Sequence, residues 1–176
     1  MSHRRCATST VMLAVFAAVV SVPTIAAERT ARELAEEKAE ASLPEATRAE
    51  RAVVRAPGDR SARLRAARAQ LAAGADKNSN VESAQQHALA VLADAPTDID
   101  ALLLAGQTSL LKGDTTAAAR YYRAATLSHS DNATAFLGLG DALTKLGDEA
   151  GATAAFARFR ALKGMPPLAT ESTNKQ

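Results

Sequence analysis

The chain has 176 residues, enough for one compact domain or a short repeat array and too few for two full-sized domains. Apolar residues make up 47% of it, which excludes wholesale disorder, yet aromatics are 3% and tryptophan is absent, so alanine carries the core. No alternating β-branched runs occur between turn signals, which disfavours sandwiches, barrels and parallel sheets, and the formal charge of +2 gives no strong field of either sign.

The first segment, 1–27, reads as a secretory signal peptide. His3, Arg4 and Arg5 form a positive start, Val11 to Val20 is uninterruptedly apolar, and Pro23 precedes small residues at Ala26 and Ala27, after either of which cleavage is expected. This apolar run is shorter than the roughly 20 residues that span a bilayer, so a retained anchor is the weaker alternative. Without Arg4 and Arg5 the remaining 19 basic residues balance the 19 acidic ones. The lone cysteine, Cys6, precedes the apolar run, so neither a lipid-bearing cysteine nor a disulfide or thiolate metal site is expected in the exported chain. Export without disulfides points to a bacterial periplasm or exterior.

Residues 28–57 read as a degenerate helical hairpin, with one helix over Glu28 to Ala41 and a second over Pro44 to Ala56, ended by Pro57. Residues 58–98 form a fuller unit: Pro57, Asp59, Ala62, Leu64 and Gly74 align with Pro96, Asp98, Ala101, Leu103 and Gly113 at a separation of 39, while Ala84 and Ala118 keep a separation of 34. Five inserted residues, Ala75 to Ser79, are expected to lengthen the turn between its two helices. Residues 99–132 and 133–164 repeat at a strict 34: Ala101 with Ala135, Gly106 with Gly140, Gly113 with Gly147, Asp114 with Asp148, Ala118 with Ala152, and Tyr122 with Phe156. In each, glycine ends one helix in the left-handed conformation and aspartate caps the next. A glycine inside a helix costs about 1 kcal/mol, so Gly106 and Gly140 imply close approach of the second helix, with Ala118 and Ala152 as its small residues. The tail, 165–176, lacks periodicity and is expected to fray.

At these positions the sequence resembles the tetratricopeptide repeat family. Its pattern of a bulky residue (Leu102, Phe136), Leu or Ala (Ala105, Leu139), glycine (Gly106, Gly140), alanine (Ala118, Ala152), an aromatic (Tyr122, Phe156) and a further alanine (Ala125) is met in register, with Phe159 as the departure. The resemblance implies an all-α fold, a right-handed α-solenoid of antiparallel helix hairpins with about eight helices after export.

No signature of catalysis is present. His87 and His129 have no carboxylate or histidine at ligand spacing, Gly138-Leu139-Gly140 follows no strand, and nucleophile-elbow, zinc-protease and phosphate-loop patterns are missing, so neither an enzyme, a metal nor a cofactor is expected. The family resemblance instead places Leu64, Arg68, Leu103, Gln107, Leu137, Asp141 and Lys145 on a concave groove, the leucines forming an apolar row and the polar residues a charge gradient that orients a bound segment; the alternative reading of the leucines is that they only complete helix packing. The family's carboxylate-clamp variant is excluded, because Leu103, Leu104, Thr134 and Gly138 stand where it needs basic or amide residues.

Arg48, Arg51, Arg55, Arg60, Arg63, Arg65 and Arg68 face only Glu50 and Asp59 within the same 21 residues, a candidate anion-binding patch. Neutralisation by the upstream glutamates, Glu28 to Glu45, is the competing reading. The expectation is an exported, non-catalytic adaptor that holds a protein or peptide segment of an envelope assembly, for which the family resemblance suggests a pilus, secretion or exopolysaccharide system. A polyanion or membrane-surface binder is the alternative; nucleic acid is disfavoured by location and by the lack of aromatic platforms.

Overall fold

The computed structural model describes residues 30, 32–75 and 77–166; the expected signal peptide and all but the start of the expected tail lie outside the described residues. Contacts divide the chain after Pro44 into two compact units. In the first, residues 32–41 form helix α1, closed by the Ser42 amide donating to the Lys38 carbonyl at 3.2 Å.

The second unit holds α2 (Glu45–Arg55), α3 (Arg60–Gly74), α4 (Asn78–Asp94), α5 (Ile99–Leu111), α6 (Thr115–Ser128), α7 (Ala133–Leu146) and α8 (Glu149–Leu162). Among the described residues there is no strand. Five of these helices begin on a short acidic or amide side chain that accepts from an amide in the first turn, satisfying a donor the helix leaves orphaned. Asp59 receives Ser61, Asp98 receives Ala101, Asp114 receives Ala117, Asn132 receives Ala135, and Asp148 receives Gly151, all at 2.8 to 3.0 Å. Gly113 and Gly147 take φ of +81° and +80°, the left-handed turn that lets the chain reverse after α5 and α7.

The five extra residues do not lengthen the turn as the sequence suggested. In the register of α5 and α6, α3 runs two residues further and α4 starts three residues earlier. Helical hydrogen bonding absorbs the insertion, and the Asn80 side chain ties back to the Gly74 carbonyl at 3.3 Å.

Alanine makes the core, as composition required. Ala84, Ala88, Ala101 and Ala105 are fully buried with Leu64, Val91 and Leu104 between α3, α4 and α5, and Ala118, Ala142, Ala152 and Ala155 with Leu139 and Leu143 between α6, α7 and α8. Small side chains bring backbones close, so dispersion between helices supplements the modest apolar area each alanine buries.

Every helix from α2 onward packs on its successor. In addition α3 touches α5 and α5 touches α7, whereas α4, α6 and α8 make no comparable contact with one another. Hairpins that meet along one row and diverge along the other form a bent stack, with α3, α5 and α7 on its inner side.

Candidate functional site

The inner row carries the residues assigned to the groove, but it does not present them equally. Leu64 is only 4% exposed, packed among Ala67, Ala84, Ala88 and Leu104, so it belongs to the core and cannot meet a partner. Leu103 is half-buried against two core clusters. Leu137, at 37%, is the one exposed member of the expected apolar row. The row is therefore a gradient that opens toward α7, because each inner helix is covered by the next and α7 has no described inner neighbour beyond it.

Arg68 forms an ion pair with Asp100 at 2.7 Å, so its charge is already matched. Gln107, Asp141 and Lys145 are exposed, and neither Asp141 nor Lys145 forms an ion pair with a described residue. One face of α5 and α7 thus offers Leu103, Gln107, Leu137, Asp141 and Lys145 together.

Tyr122 supports this face from beneath. Its ring passes between α5 and α7 through a gap that only glycine leaves: a Cβ on Gly106 would lie 2.7 Å from the ring carbon bearing the hydroxyl, and one on Gly138 would meet the same carbon at 2.5 Å. Burial, followed by the nearby Asp141 carboxylate, pushes the Tyr122 hydroxyl up to about 12, so it stays protonated beside that carboxylate. Gly140 makes the same room for Phe156. Gly106 and Gly140 therefore admit aromatic rings of the following helix, on which Ala118 and Ala152 are also buried.

Part of the arginine patch is neutralised by residues the sequence reading did not name. Arg60 pairs with Asp98 at 2.7 Å and Arg68 with Asp100, both at the start of α5, and the Arg63 Nε donates to the Pro57 carbonyl at 2.8 Å. Arg48, Arg51 and Arg65 form no ion pair with a described residue. Arg48 and Arg65, together with Glu45, Ala49 and Ala52, line an open cleft of about 370 Å³ between α2 and α3. Among the described residues no three His, Cys, Asp or Glu side chains gather to hold a metal, and no helix is long and apolar enough to cross a membrane.

Neither a protein-family model nor a curated protein matches the chain. Solved structures do. A crystal structure of MamA superposes with a TM-score of 0.61 at 15% identity, covering 68% of this chain and 67% of that one. A thermophilic TPR protein from Thermus thermophilus gives 0.58 at 22% identity, over 68% of this chain and 64% of that one. The MSR-1 form of MamA gives 0.54 at 22% identity, over 76% and 78%. The fold is a tetratricopeptide-type α-solenoid.

Within this solenoid, sequence reading missed one polar node. Glu50 on α2 accepts from Gln70 Nε2 on α3 at 2.7 Å and meets His87 Nε2 on α4 at 2.9 Å. His87, which spacing along the chain left without a carboxylate, finds one 37 residues away. Burial raises the Glu50 carboxyl, but the bonds from His87 and Gln70 and the charge of His87 outweigh it and hold the group below its ordinary value. The node locks α2 across the hairpin of α3 and α4. Two signals missed in the sequence were the acidic residues Asp98 and Asp100 opening the next unit, and Gly138 standing one repeat after Leu104.

Proposed function

We propose that the protein is a non-catalytic interaction scaffold that holds a segment of a protein partner on the face formed by α5 and α7. The observation that carries this is the grouping of exposed Leu137 and half-buried Leu103 with Gln107, Asp141 and Lys145, two of them charges with no ion-pair partner among the described residues. Apolar contact at the leucines supplies affinity, and the polar residues fix orientation. The positive start, apolar run and small residues of segment 1–27 support export to a bacterial periplasm or exterior, where the scaffold would serve assembly of an envelope machine for pilus, secretion or exopolysaccharide traffic.

Capture from envelope extract, followed by measured affinity for the recovered partner, tests this. Wild type and Leu137→Asp serve as parallel baits, because Leu137 can change without breaking the core. The proposal expects a partner whose binding survives raised salt and is lost in Leu137→Asp. A partner held equally by both baits would exclude the α5–α7 face.

A further inference from the structure

The cleft between α2 and α3 is independent of the α5–α7 face. Arg65 stands at the register position of Leu104 and Gly138, 39 and 34 residues apart in turn. At that position the other hairpins pack the preceding second helix: Leu104 is buried against Ala84, Ala88 and Val91 of α4, and Gly138 lies against the Tyr122 ring of α6. Arg65 is exposed instead, and where the seam would close, the cleft opens, with Arg48 entering from α2. A charge placed at a packing position sacrifices apolar burial, and neither Arg48 nor Arg65 forms an ion pair with a described carboxylate.

We propose that this cleft is a binding site for a carboxylate side chain in an acidic segment of a protein partner. Two guanidinium groups lining one small cleft repel each other, and a planar carboxylate can accept from both in the forked geometry arginine prefers. Glu45 also lines the cleft, so its walls carry a net charge of +1, which matches one carboxylate better than a phosphate dianion. Ala49 and Ala52 give the cleft an apolar floor for the methylenes of a glutamate. The neighbouring Arg60 and Arg68 are already paired with Asp98 and Asp100 and do not line the cleft.

The test uses the full chain and a fluorescein-labelled hexaglutamate peptide, read by anisotropy in low salt, with acetate and inorganic phosphate as competitors. Arg48→Gln and Arg65→Gln should each weaken binding about tenfold, as expected for loss of a charge-assisted bond. Arg51→Gln, in the same patch but outside the cleft, should change it by about twofold at most, through screened long-range charge. Arg65→Lys, which keeps the charge without the fork, should fall between, and it stands in if Arg65→Gln lowers the melting temperature. Equal losses at Arg51 and Arg65 would replace the site with a diffuse field. No binding, or displacement by phosphate at lower concentration than by acetate, would overturn the proposal. Because Leu137 lies outside the cleft, Leu137→Asp should leave peptide binding unchanged, so failure here and failure of the α5–α7 scaffold are told apart.

Discussion

The ring of Tyr122 occupies the space that a side chain on Gly138 would need. The two residues come from different hairpins, so this contact sets how closely α7 can approach α6, and Gly106 sets the same limit from α5. Alanine at either glycine should gain about 1 kcal/mol of helix propensity yet lose more by overpacking against the ring, for a net loss of about 1–2 kcal/mol. In the background of Tyr122→Leu the same Gly138→Ala change should become neutral or stabilising. Urea unfolding of the four variants forms the cycle; additivity would show that the ring and the glycine are not coupled.

The turn between α7 and α8 joins two local requirements. Gly147 has φ of +80° and Asp148 caps α8 through the Gly151 amide at 2.9 Å. Gly147→Ala should cost about 1–2 kcal/mol from left-handed strain, and Asp148→Ala about 1 kcal/mol from the lost cap. Thermal melts would register both, and an unchanged Asp148→Ala melt would mean the cap does not hold the helix end.

Glu50 should make stability depend on acidity. Its carboxyl is lowered in the folded chain, so its contribution is complete above the ordinary value of 4.5 and is lost as pH falls through the lowered value. The gap in melting temperature between wild type and Glu50→Gln should therefore be constant near neutrality and shrink in more acid solution. Asp59, also held low, by its bonds to Ser61 and Ala62, is common to both proteins and cancels. A gap that does not move with pH would remove the carboxylate from the account.

Leu103 and Leu137 occupy equivalent positions 34 residues apart but should answer differently to aspartate. At Leu103, packed against two core clusters, the change loses apolar contact and desolvates a charge, lowering stability by about 2–4 kcal/mol. At exposed Leu137 the loss should stay within about 0.5 kcal/mol. Denaturant midpoints decide this, and equal losses would mean that Leu137 is structural too.

Periodicity made the hairpins legible, because Gly-Asp at 113–114 and 147–148 recurs with the alanines and aromatics that pack behind it. It could not show how far each leucine is covered. Leu64, Leu103 and Leu137 share one register, yet their exposure depends on which neighbour lies over them, a tertiary property that identical local patterns do not encode. The same limit hid Glu50 and His87, which meet only because α2 and α4 both pack on α3. For the arginines, sequence proximity favoured the upstream glutamates. Folding instead brings Arg60 and Arg68 to Asp98 and Asp100, since α3 and α5 lie side by side.

From α2 onward, extensive packing joins each helix only to its first and second neighbours in the chain. Mechanical load applied between the ends of this segment would then be borne link by link, with no single seam whose rupture releases the rest. Under an optical trap it should lengthen in several small steps, each about the size of one hairpin, where a protein stitched by distant contacts would give way at once.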